Sequence, residues 1–205
     1  MEKHFNIQVK YIRADNEMNR KRTLSWMRSK GITFEPSAPR TQAQNGAAER
    51  SGGVIMEKAR AMRISAKLPH DLWKEIINAA TYLYNRTPKE SQDWKSPYEV
   101  FFSTVEGSIR KPKLAHLRAF GCRAYAMTEN AQNKKKRKWK LNPRAYIGYL
   151  VEYDSMNIFR IWIPSKGLVI STRDVIFDEK TVFNGKPEHV TPQMADEMNS
   201  LIIKI

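Results

Sequence analysis

Apolar and polar residues alternate through IQVKYIRAD, residues 7–15, and this two-residue period predicts a strand ending at Asp15 with Ile7, Val9 and Tyr11 on one side. The next segment, RKRTLSWMRSKG, changes period. Leu24 and Met27 stand three apart and Gly31 closes the run, which predicts a short helix with a glycine stop. ITFEPSAP predicts a second short strand, ended by Pro36 and Pro39 because neither supplies a ladder donor.

An Asn45-Gly46 turn is then expected to open a long helix running to about Lys67. Ala48, Ile55, Ala59, Met62 and Ala66 recur on one continuous face of it. On a helical wheel Glu49 lies beside that face, with Arg60 and Arg63 within about 40° of Glu49, so one carboxylate and two cations share a stripe. Gly52 and Gly53 interrupt the second turn at about 1 kcal/mol each relative to alanine, which predicts packing that covers them. LPHDLWKEIINAATYLYNRTP repeats the helical pattern, with Leu72, Trp73, Ile76, Ile77, Ala80, Leu83 and Tyr84 expected inward and Pro88 as terminator.

From about Leu114 the period returns to two. LRAFGCRAYAM, RAYIGYLVEY, IFRIWIP and LVISTRDVIFDE are four strand candidates separated by turn formers, the signature of a small antiparallel barrel. The polar stretch around Gly107 and Pro112 predicts a boundary, giving an α/β part at 1–106, a linker at 107–113, a β domain at 114–179 and a tail at 180–205.

Charge changes the picture more than composition does. The chain has 205 residues and a formal net charge of +15, an excess that favours a polyanionic partner through counterion release. Residues 111–144 hold eleven Lys and Arg against one acid, whereas 145–205 hold six against eight. Seven of the eleven fall in KKKRKWKLNPR: Lys134, Lys135, Lys136, Arg137, Lys138, Lys140 and Arg144. That run is open to three readings, a solvated loop, a nuclear-import signal or a phosphate-binding loop. A single cysteine, Cys122, leaves no internal disulfide and no multi-cysteine zinc site, and fits a reducing compartment. It sits in an apolar strand and reads as a small buried hydrophobe. His70 and His116 read as structural. No long apolar run or signal-peptide pattern is visible, so a soluble intracellular chain without membrane contact is expected.

SAPRTQAQNGAAER, then LPHDLWKEIINAATYLYNRTP, SPYEVFF, HLRAFGCRAYA, LNPRAYIGYLVEYDSMNIFRIWIP and VISTRDVIFDE, in this order over most of the chain, resemble the integrase of copia-type LTR retrotransposons. The resemblance implies an α/β RNase H-like integrase core, truncated at its N-terminus, followed by a small all-β SH3-like barrel. It implies that Asp15 in RADN and Glu49 in QNGAAER are the second and third of three carboxylates holding two Mg²⁺ or Mn²⁺ ions for polynucleotidyl transfer. Such ions take oxygen ligands, so no zinc is expected. Asn45, Arg50, Arg60, Arg63 and the 134–144 cations become candidate DNA contacts.

The partners implied are DNA, both element ends and host target, and the rest of the element polyprotein, in the nucleus. The first aspartate of the family lies upstream of anything in this chain, so the 205 residues are expected to be inactive alone. NEMNRK after Asp15 and SGG after Glu49-Arg50 also depart from the family pattern, the second by removing cations from the helix. Two function classes remain open: an integrase fragment in DNA integration, and a non-catalytic DNA-binding remnant of a transposable element.

Overall fold

The computed structural model describes residues 7–14, 19–36, 42–128 and 144–186, and of residues 42–45, 47 and 48 the backbone only. Strand β1, Tyr11–Ala14, runs parallel to β2, Thr33–Pro36, with Tyr11 opposite Thr33 and Ala14 opposite Pro36. Parallel neighbours need a crossover, and helix α1, Lys21–Ser29, supplies it. It stops where the sequence places the stop. Gly31 takes φ 69°, its N–H bonds to the Arg28 carbonyl, and Met27 and Ile32 are buried beneath. The predicted first strand is shorter than its alternation suggests, and Tyr11 on it is 64% exposed.

Helix α2 spans Gln42–Ser65. The expected Asn45-Gly46 turn is therefore not a turn. Both residues lie in the first turns of the helix, where local turn propensity is outweighed by a 24-residue hydrogen-bonded ladder. The expectation that packing covers Gly52 and Gly53 also fails, because both are exposed and a Cβ on either would meet nothing within 4 Å. The helix ends in a Schellman arrangement: Leu68 N–H bonds to the Arg63 carbonyl at 3.1 Å, Lys67 N–H to Ile64 at 3.1 Å, and Lys67 holds φ 54° where glycine is usual.

A short 3₁₀ turn at His70–Leu72 leads into α3, Trp73–Tyr84. Ile76, Ala79 and Ala80 are the buried residues of α3. Trp73, expected inward, is 57% exposed. It sits in the first turn, about 70° round the helix from the centre of the buried stripe, and its side chain leans back past the end of the packed surface. Helix α4, Pro97–Glu106, has no counterpart among the predicted elements. Its signals are nevertheless written in SPYE and Gly107. Ser96 caps it by accepting from Glu99 N–H at 3.1 Å, Pro97 fills the first helical position, and Gly107 follows the last turn at φ 68°.

Five strands make the second sheet: β3, Cys122–Met127; β4, Ala145–Tyr153; β5, Phe159–Ile163; β6, Leu168–Thr172; β7, Val175–Val182. LVISTRDVIFDE was expected as one strand and is two, broken at Arg173-Asp174, where Asp174 N–H turns to the Thr172 hydroxyl at 3.0 Å. The order is β6-β5-β4-β3-β7 and every neighbouring pair is antiparallel. Central strand β4 is buried along nearly all its length because other elements cover both its faces.

The buried core crosses the 107–113 connection. Ala59 of α2 and Ala66 just after it, Ile76 and Ala80 of α3, Tyr149 and Val151 of β4, and Phe183 after β7 belong to one cluster. Ala79 of α3 belongs to the adjoining cluster with Cys122, Ala124, Leu150 and Ile161. A bulge at Val151 skips one residue in the β4–β5 pairing and sets Glu152 opposite Arg160. Arg160 then lies 3.0 Å from Glu152 and 3.0 Å from Glu75 of α3, while Asn78, one turn along α3, donates to Glu152 at 3.0 Å. Burial pushes the Glu152 carboxyl up from its ordinary value, and the Asn78 hydrogen bond and Arg160 oppose that shift.

The tightest contact between the two parts is at Gly121, which has φ +76° and would place a Cβ 2.2 Å from the Ala66 Cβ. Gly121→Ala combines a left-handed backbone penalty with an overlap that neither rigid element relieves, and is expected to cost about 2–4 kcal/mol of folding stability. Urea unfolding reads this directly; a loss below about 0.5 kcal/mol, the size of an ordinary surface change, contradicts the packing described.

Candidate metal and nucleic-acid site

Asp15 lies outside the described residues, immediately after the last residue of β1. Glu49 stands on α2 and is exposed, as are Arg50 and Arg60. Glu49 and Arg60 fall within about 20° of each other on the helical wheel, roughly a quarter to a third of a turn round from the buried Ala59 and Ala66. The backbone of Asn45 is one helical turn before Glu49. Among the described residues no group of three or more His, Cys, Asp or Glu side chains is placed to hold a metal ion. The described residues therefore do not assemble a two-metal site by themselves.

Arg63 departs from the stripe proposed for it. It is half-buried, and its Nη1 donates to the Leu68 carbonyl at 3.3 Å, so it secures the end of α2. Lys134, Lys135, Lys136, Arg137, Lys138 and Lys140 lie outside the described residues. In the sequence they fall between β3 and β4. Those two strands are held together at this end by Thr128 N–H on the Arg144 carbonyl at 2.9 Å and by the Met127–Ala145 pairing. Arg144 itself is exposed.

The histidine and cysteine readings can be placed as well. His116 Nε2 is 2.8 Å from the Tyr82 hydroxyl, and burial, with Arg86 and Arg118 nearby, pushes the ring's pKa down toward the neutral form. Tyr82 stacks on Tyr153 at 5.2 Å between centroids, and the Arg86 guanidinium lies 3.3 Å over the Tyr82 ring. Tyr153 donates to the Arg118 carbonyl at 2.6 Å. This aromatic and cationic cluster joins α3 to the segment before β3, and no short motif signals it, since its members are 71 residues apart at the extremes. Cys122 is fully buried and its thiol is pushed up to about 12 by burial, then by Glu179 and Asp178, which keeps it an inert core residue.

A cleft of about 620 Å³ opens beside β7, lined by His116, Arg118, Asn157, Phe159, Arg173 and Phe177 among others. Its charges are matched internally, with Arg118 3.8 Å from Glu179 and Arg173 3.8 Å from Asp174.

The β3–β7 sheet matches a known class of domain. Residues 122–191 match the family model of the retroviral polymerase SH3-like domain. Over 184 residues, 89% of this chain, the sequence is 35% identical to the retrovirus-related Pol polyprotein from transposon TNT 1-94 of Nicotiana tabacum. It is 26% identical over 180 residues, 88% of the chain, to the Pol polyprotein from transposon RE2 of Arabidopsis thaliana. An uncharacterised mitochondrial protein of Arabidopsis thaliana is 32% identical over 95 residues, 46% of this chain and 68% of that protein. These similarities support a copia-type retrotransposon integrase region as the kin of this chain. It spans 13% of the length of the TNT 1-94 polyprotein and 12% of that of RE2.

The different settings of the three arginines on α2 are testable by stability alone. Arg63→Ala is expected to cost about 1 kcal/mol by removing the bond to Leu68, whereas Arg50→Ala and Arg60→Ala are expected to stay within about 0.5 kcal/mol of the parent. Thermal or urea unfolding of the three variants measures this; an Arg60→Ala loss as large as that of Arg63→Ala contradicts the assignment.

Proposed function

We propose that the chain is a section of a retrotransposon integrase that binds DNA and takes part in DNA integration in the nucleus. In this reading α1 to α4 with β1 and β2 are part of an RNase H-like core, and Asp15 and Glu49 contribute two of three carboxylates for Mg²⁺ or Mn²⁺. Those ions would supply two-metal activation of a polynucleotidyl transfer. The observation that carries the reading is the match to the TNT 1-94 Pol polyprotein over 89% of this chain. Two further features support it: Glu49 and Arg60 are both exposed and face in similar directions from α2, and the run of cations lies in sequence between two adjacent strands of the SH3-like sheet. Partners in this reading are the element ends, the host target DNA and the rest of the polyprotein.

The 205 residues carry two of the three carboxylates that the family resemblance implies, so the purified chain is expected to bind DNA without strand transfer or 3′ processing in Mg²⁺ or Mn²⁺. If about five of the 134–144 cations meet phosphates, the slope of log K against log salt is expected near −4 to −5. Phosphate contacts carry no base information, so affinity should hardly depend on sequence. Replacing Lys134 to Lys138 by alanine should lower the affinity and flatten the slope, while Glu49→Gln changes neither. Fluorescence anisotropy across a salt series measures both. Equal binding by parent and alanine variant removes the phosphate role from the run, and metal-dependent activity lost in both Asp15→Asn and Glu49→Gln overturns the inactivity of the isolated chain.

A further inference from the structure

Between α3 and α4 the chain makes a tight turn at 89–95. Lys89 and Lys95 pair across it as an antiparallel bridge, with Lys89 N–H on the Lys95 carbonyl at 3.1 Å. Trp94 N–H returns to the Lys89 carbonyl at 2.9 Å and Lys95 N–H to Gln92 at 3.0 Å. The two residues at its tip, Asp93 and Trp94, hold φ 52° and 59°. Asparagine, aspartate and glycine are the residues suited to consecutive left-handed positions, and Asp93 conforms. Trp94 does not. It occupies a backbone position where a bulky side chain is strained, yet it is 71% exposed and so gains little burial in return. A strained position that holds a large flat ring in solvent is explained by contact with something outside the fold.

The surroundings say what chemistry that something has. Lys89 Nζ sits 3.3 Å over the centre of the Tyr84 ring, and Lys95 is exposed. The Tyr84 hydroxyl reaches Ser51 Oγ of α2 at 3.4 Å, which ties the turn to α2 two residues beyond Glu49. Lys58, exposed on α2, is close enough to act on the Tyr84 phenol, alongside the larger effects of Lys89 and Ser51. Lys89 and Lys95 thus stand at the two ends of the turn that carries Trp94, with Glu90 and Asp93 between them.

A tryptophan that anchors a protein interface typically sits in an apolar, desolvated setting. Here its neighbours along the turn are Lys89, Glu90, Asp93 and Lys95 instead. An exposed aromatic face beside cations suits an unpaired nucleotide, whose base has a free π-face and whose phosphates are anionic.

We propose that Trp94 is a stacking platform for an unpaired base of nucleic acid, with Lys89 and Lys95 of the same turn meeting the flanking phosphates. This rests on the nucleic-acid reading above and adds to it a site, a single-strand preference and a residue.

The test uses the whole chain, a short labelled oligothymidine and a duplex of equal length, with anisotropy for binding and thermal midpoints for folding. Trp94→Gly is expected to weaken oligothymidine binding about tenfold and duplex binding by less than about twofold. Its thermal midpoint should hold or rise, because glycine takes a positive φ without strain. Trp94→Phe should keep most of the single-strand affinity. Unchanged oligothymidine binding in Trp94→Gly overturns the inference, as does an equal loss on the duplex. A change in sedimentation with binding intact assigns the ring to a contact between copies of the chain and also overturns it. A parent chain that binds neither probe removes the nucleic-acid reading itself, whereas a parent that binds both with no effect of Trp94 removes only the platform.

Discussion

Small side chains at the line where the helices meet the five-stranded sheet set the rest of this structure. Ala79 and Ala80 of α3 are fully buried, and Ala66 just past the end of α2 lies against Gly121. Interiors pack at crystal-like density, so backbones that approach this closely lock their elements into one arrangement. The β4 bulge follows the same logic. By turning Glu152 toward Arg160 it completes an ionic clamp with Glu75 and Asn78, and removing the arginine alone would strand two partly buried carboxylates. Helices α2 and α3 and the sheet from β3 to β7 are thus joined by apolar packing and by charge at the same seam.

That seam leaves the candidate functional features on the outside. Glu49, Arg50 and Arg60 occupy exposed positions on α2. Trp94 projects from the turn between α3 and α4.

Much of this was legible in the residues. Alternation located β3, β4 and β5, the glycine stop ended α1 at the right turn, and the apolar faces of α2 and α3 were read from their spacing. Failures came where local chemistry met a larger constraint. Asn45-Gly46 carries strong turn propensity but lies inside a long ladder, and LVISTRDVIFDE has continuous strand character yet bends at Arg173-Asp174 through a side-chain hydrogen bond. Trp73 has the right helical phase and the wrong axial position. Arg63 shows the limit of a wheel, which ranks directions but cannot show that a carbonyl five residues on will capture the guanidinium. The Arg160 clamp and the Tyr82–His116–Tyr153 cluster join residues far apart in the chain, and no periodicity encodes such pairings.

The claim that α3 and the sheet form one unit is tested most directly by native-state amide hydrogen exchange. Amides of Ala79 and Ala80 in α3 and of Leu150 and Val151 in β4 should open together, with opening free energies agreeing within about 0.5 kcal/mol and falling in parallel as denaturant is added. Exchange of the α3 amides through a separate, lower-energy opening that leaves β4 protected would contradict it, and would make the helices and the SH3-like sheet independent bodies.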